Sequence, residues 1–221
     1  MKKSMTKYSW FTFLLAVFCV FTVVQNMFET KTIGIETFAL MGGGTIVSWI
    51  PFLCNDIITE VWGQRKAVKA FTLAGALNFF VVCMAQIVIM LPGTYVEQNV
   101  AFEQIFSNGV RTAVASLVAF LFGNFVNTVI MVKMKPKDKE KDNGFLFCAR
   151  AIVSTVVGQY LDNLLFLVIA FAPIGLSVFE MRWIDILTVT LTGTLLEGLI
   201  EASFVPIVTM PLAKHIKNLS S

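Results

Sequence analysis

Three carboxylates stand inside long apolar runs: Asp162 in FLFCARAIVSTVVGQYLDNLLFLVIAF, and Glu197 and Glu201 in DILTVTLTGTLLEGLIEASFVPIVTM. An acid at the centre of a membrane helix costs about 3 kcal/mol unless it meets a partner or water. A chain that keeps three is expected to handle a polar solute. Glu197 and Glu201 are four residues apart and so share a helix face. At that spacing they repel, unless one is neutral, paired with a cation or wet.

The amides follow a related pattern. Gly123-Asn124-x-x-Asn127 and Gly158-Gln159-x-x-Asp162 repeat glycine, amide, two spacers and a polar group at a 35-residue offset. Asn124 with Asn127, and Gln159 with Asp162, each form a polar patch, and the preceding glycine lets another backbone approach. In helices running in opposite directions two such patches could face each other across a cavity, a loose form of the internal repeats of transporters. The competing reading is that these groups only bond helix to helix, which suits the two asparagines better than the three acids. Val205-Pro206 and Met210-Pro211 interrupt the last run and free carbonyls near Glu197 and Glu201.

The elements that position these groups are membrane helices. Apolar residues make up 57% of the 221-residue chain and charged residues 14%, and several runs exceed the roughly 20 residues needed to cross the hydrocarbon. The sequence predicts an all-α membrane protein, one transmembrane domain over 1–221, with six spans near 8–28, 42–62, 67–91, 110–132, 145–171 and 185–210. MKKSMTK and the run after it read as a retained first helix. The second span is the least regular: ETKTIGIETFALMGGG before it mixes β-branched residues with three glycines and reads as a re-entrant or extended piece. Fourteen of the 17 basic residues fall at the termini and in alternate connections, including Lys2, Lys3, Arg65, Lys66, Lys133 to Lys141 and Arg150; Lys31, Arg111 and Arg182 fall in the others. The positive-inside rule then places both termini in the cytosol. The net charge of +3 follows from this asymmetry and carries no implication of nucleic-acid binding.

Several chemistries have no support in the residues. Cys19, Cys54, Cys83 and Cys148 are scattered, the single His215 lies in the tail, and Gly42-Gly43-Gly44-Thr45 lacks the lysine of a phosphate-binding loop. No catalytic residue, metal site or cofactor is expected, and the chain is not read as an enzyme. Asp56 and Glu60 share one face before a basic turn, where pairing with Arg65, Lys66 or Arg150 would lock helix ends; with Arg111 these form a structural or gating set. Trp10, Trp49, Trp62 and Trp183 fall mostly near span ends, as an interfacial belt would. Trp49 lies farther in, where it could stack on a flat ligand.

Asn55-Asp56-Ile57-Ile58-Thr59-Glu60-Val61-Trp62-Gly63-Gln64-Arg65-Lys66-Ala67 resembles the D-[IL]-x-T-E-[VI]-[YW]-G-x-[RK]-x-A signature of the VUT (vitamin uptake transporter) family, the queuosine precursor transporters. The likeness continues through Arg111, Ala115-Ser116, Gly123-Asn124, Arg150, Ser154-Thr155, Gly158-Gln159, Asp162, Glu201 and Pro206, from about Pro51 to the end. The resemblance implies a six-helix bacterial inner-membrane importer of 7-deazaguanine compounds used to make queuosine in tRNA. The chain departs from that pattern at Asn124 and Asn127, where G-Q-x-x-D is usual, and at Glu197, where a lysine is common. That exchange makes an amine-bearing base, or queuine itself, a plausible substrate beside the cyano base. Such a ring offers adjacent N–H donors that a carboxylate accepts in pairs. Asp162 or Glu201 would take them, Gln159, Asn124 or Asn127 would serve the carbonyl, Trp49 or Tyr160 would cover the ring, and Glu197 would face the amine. The partners so implied are a deazapurine base and the bilayer; a homodimer is left open. The rival readings are the substrate-binding membrane subunit of an energy-coupling-factor system with a separate ATPase, and a membrane-embedded enzyme or structural subunit. Against the first, Ala16 stands without small neighbours at four-residue spacing in the first helix.

Overall fold

The computed structural model describes residues 6–29, 31–35, 38–106, 109–136, 144–174 and 180–219. Helix α1 spans Lys7–Glu29. A two-stranded antiparallel hairpin follows, β1 Thr32–Ile35 and β2 Phe38–Gly42, with its register irregular between Ile33 and Gly34. Then come α2 Thr45–Trp62, α3 Gln64–Ile89, α4 Val96–Phe106, α5 Gly109–Lys133, α6 Gly144–Phe171 and α7 Trp183–Phe204. A π-helical turn over Val205–Thr209 leads into α8 Met210–Lys217.

Five of these helices are long and apolar enough to cross a bilayer, among the described residues: α1, α3, α5, α6 and the continuous α7 to α8 run. Helix α2 is the exception. At 18 residues it reaches about 27 Å, and Asn55, Asp56, Thr59 and Glu60 make its second half polar. Twelve of its residues are buried, because it packs against α1, α3, α5, α7 and α8. Protein therefore stands where lipid would otherwise meet those polar groups. The extended piece expected ahead of it is the hairpin. Pro51 within α2 removes one ladder donor.

Gly63 separates α2 from α3 with φ +82°. A Cβ there would meet nothing within 4 Å, so the glycine serves the backbone angle and not space. The core clusters where α2 crosses its neighbours, around Phe18, Leu53, Ile57, Ile58, Phe71 and Val205.

One end of the bundle gathers the start of α1, the α2–α3 turn, the start of α6 and α8. There Trp10 meets His215 edge-on at 6.3 Å, Phe11 meets Trp62 at 5.2 Å, and Lys66 lies over the Phe11 ring. The short α4, in a stretch with no predicted span, is tied to α3 where Gln86 Nε2 donates to the Phe106 carbonyl at 2.7 Å.

Candidate functional site

The sequence repeat marks a direct helix contact, not two polar patches facing each other across a cavity. Helices α5 and α6 cross at Gly123 and Gly158, and the packing is reciprocal. A Cβ on Gly123 would lie 2.8 Å from the Gly158 carbonyl oxygen and 2.8 Å from Asp162 Cβ. A Cβ on Gly158 would lie 2.9 Å from the Gly123 carbonyl oxygen and 3.0 Å from Asn127 Cβ. Each glycine thus seats the polar residue four positions past the other, which sets Asp162 on one side of the crossing and Asn127 on the other.

On the Asp162 side lies a cavity lined by Thr22, Gln25, Asn26 and Glu29 of α1, Ser116 and Phe120 of α5, Asp162, Asn163 and Phe166 of α6, and Glu197 of α7. The space it leaves for water-sized solutes is about 40 Å³. Glu197 is fixed by two donors, Ser48 Oγ at 2.5 Å and Asn163 Nδ2 at 3.0 Å. Ser116 Oγ donates to Asn26 Oδ1 at 2.9 Å. Glu29 accepts the Gly44 backbone N–H at 3.1 Å, and the glycine triplet has its reason here. A Cβ on Gly42 would sit 1.7 Å from Glu29 Oε1, and one on Gly44 2.4 Å from Oε2.

One helical turn further in, a second polar layer is closed off from solvent. Asp56 accepts from Asn127 Nδ2 at 3.0 Å and from Thr155 Oγ1 at 3.4 Å. Asn55 Nδ2 donates to Thr128 Oγ1 at 3.0 Å, and Asn124 Nδ2 to the Phe120 carbonyl at 2.9 Å. Gln159 and Glu201 are each 1% exposed, and neither has a well-formed side-chain hydrogen bond.

The third layer is ionic. Glu60 receives Arg150 Nη2 at 2.7 Å, Lys135 Nζ at 3.0 Å and the Lys217 ammonium. Arg150 is itself buried and stacks against Phe147. The expected locking of helix ends is therefore made by Glu60 with Arg150, while Asp56 belongs to the layer above and Arg65 is exposed. The side chain of Arg111 lies outside the described residues.

The predicted site residues thus divide. Asp162 and Glu197 line the cavity; Gln159, Asn124, Asn127 and Glu201 lie inward of it. Trp49 stacks on Phe204 at 4.2 Å and donates its indole N–H to the Ile46 carbonyl, and Tyr160 is half-buried; neither is among the lining residues. The sequence reading missed Glu29, Gln25 and Asn26, although Thr22, Gln25, Asn26 and Glu29 recur at helical spacing. It also passed over Ser48 and Asn163, whose only signal is polarity beside an apolar run.

Residues 42–210 match a family model described as "Putative vitamin uptake transporter". A curated relative from Bacillus subtilis (strain 168), "Probable queuosine precursor transporter", is 28% identical over 158 residues, covering 69% of this chain and 66% of that protein. The chain therefore spans just under two thirds of that relative's length. No solved structure matches. Helix α1, which supplies four of the cavity's lining residues, precedes the matched stretch. With well over half of its length in that match, this multi-pass membrane protein belongs to the vitamin uptake transporter family.

Proposed function

We propose that the chain imports queuosine precursors, 7-deazaguanine bases or queuine, across a bacterial inner membrane, with six crossings and both termini in the cytosol. The observation that carries this reading is the cavity that brings Asp162 and Glu197 together above two further polar layers. Family membership and the printed name of the Bacillus subtilis relative support it.

Asp162 would accept the paired N–H donors of the purine edge, and Glu197, held by Ser48 and Asn163, would face an amine substituent. Gln25, Asn26 or Asn163 would serve the ring carbonyl. Phe120 and Phe166 flank the cavity and supply the apolar surface for a flat ring. Gln159, Asn124, Asn127 and Glu201 form the next station inward. The buried Glu60–Arg150 pair ties α2 to α6 at the far end, and alternating access would require that tie to loosen when the site opens there.

The test is competition uptake of labelled queuine against the cyano and aminomethyl deazaguanines, in cells that can make none of them and carry no coupling ATPase. Uptake by this chain alone supports a self-sufficient importer, and its absence favours an ATPase-dependent subunit. In the same cells Asp162→Asn should lose most uptake, since an amide accepts paired donors without charge assistance, a loss of about 1.5 to 3 kcal/mol. Normal transport by a well-expressed Asp162→Asn chain would return Asp162 to helix packing.

A further inference from the structure

The second layer holds more acceptors than donors. Asp56 takes one amide proton of Asn127, and the Thr155 hydroxyl leans on Asp56 at a long 3.4 Å. That hydroxyl also stands beside Glu201 and has one proton for two carboxylates. Both Glu201 oxygens are buried without a well-formed hydrogen bond, as are Asn127 Oδ1 and both polar atoms of the Gln159 amide. Gln159 sits one turn from Thr155 on the same face of α6. All five residues are polar groups taken out of water, and a buried acceptor left unmatched is costly.

We propose that Asp56, Asn127, Thr155, Gln159 and Glu201 bind a sodium ion between α2, α5, α6 and α7. A proton on Glu201 would provide one donor and leave the amide oxygens unmatched. A hard cation takes carboxylate, amide and hydroxyl oxygens together as ligands. The ligand set is all oxygen, with no histidine or thiol to favour a transition metal. Glu197, one turn from Glu201 on α7, connects this layer to the cavity. The ion's role in driving uptake rests on the import reading; its binding does not.

Thermal unfolding of the purified full chain in detergent, in sodium, potassium or choline chloride at equal ionic strength, tests the site. Sodium alone should raise Tm, saturably and by roughly 3 °C or more. The shift should vanish in Glu201→Gln and survive in Asp162→Asn. Replacing sodium with choline should also cut queuine uptake by roughly tenfold. Equal melting in the three salts overturns the ion site whether or not uptake persists. Stabilisation by acid that is indifferent to the salt also overturns it, assigning Glu201 a proton. Should Glu201→Gln fail to fold, binding of radioactive sodium to the unaltered chain decides: displacement by sodium and not potassium is expected, and no saturable binding sinks the proposal. A sodium shift without any deazapurine uptake leaves the ion site standing and removes the import reading.

Discussion

Glu197 is the residue at which substrate preference is most exposed to test. Its carboxylate is held by Ser48 and Asn163, so it is positioned before any ligand arrives and loses little freedom on binding. If it faces a substrate amine, Glu197→Gln should weaken amine-bearing bases by roughly tenfold or more, the worth of one charge-assisted bond, and spare the neutral cyano base. Binding of the two bases measured side by side checks this; equal loss for both would deny Glu197 a role in discrimination. Asp162 and Glu197 were legible in the sequence because an acid in an apolar run has no cheap explanation. Glu29 was not, because it lies at the end of its span, where an acid reads as ordinary interfacial polarity. Only the fold shows that β2 and the glycine triplet turn back over its carboxylate.

At the scale of elements, the α5–α6 crossing organises everything between the cavity and the second layer. Alanine at Gly123 or Gly158 would drive a methyl to 2.8 or 2.9 Å from a backbone carbonyl of the opposite helix, which neither backbone can relieve without separating. Each substitution should cost about 1 to 3 kcal/mol by overpacking, lower Tm, and weaken ligand binding by shifting Asp162. Gly63→Ala is the informative contrast. It strains a backbone at φ +82° yet touches nothing, so it should lower Tm by a comparable amount while leaving affinity intact. Loss of affinity in Gly63→Ala as large as in Gly158→Ala would mean the crossing has no special hold on the site. The glycine repeat made this crossing readable from sequence, since small residues at matching offsets are what close helix pairs need. The hairpin was readable only as irregularity, and α4 not at all: a short, mostly exposed helix without apolar periodicity leaves no pattern to read. Pro206 and Pro211 foretold an interruption, but its form, a π-helical turn that keeps the helix continuous, depends on the buried packing of Val205 and Thr209.

Across the whole molecule the three polar layers stack along one line. Asp56 and Glu60 on α2, Glu197 and Glu201 on α7, and Asp162, Gln159, Thr155 and Arg150 on α6 each step along their helices at helical spacing. The line runs from the cavity at Asp162 to the ion cluster at Glu60, which borders a cleft of its own. That cluster is costly to undo, because removing one partner of a buried ion pair strands the other charge, a penalty of about 3 to 5 kcal/mol. The sidedness we propose for this arrangement rests on the basic residues. The layer that Glu60 binds contains Arg150, Lys135 and Lys217, all from the segments whose lysines and arginines the positive-inside rule assigns to the cytosol. The α1 start joins that end through Trp10 and His215, so the start of α1, the residues just past α5 and helix α8 meet at one end of the bundle. In a cysteine-free background, single cysteines placed in the 133–144 connection should then react with an impermeant maleimide only after the cell is opened. Single cysteines at Gln98 or Asn99, in the exposed α4 connection, should react in intact cells. Labelling of the 133–144 connection from outside would invert the molecule, turning the cavity towards the cytosol and making the Glu60 cluster an outer gate. The same side chains would then describe an exporter or a carrier caught facing inward, and the import reading would have to be withdrawn.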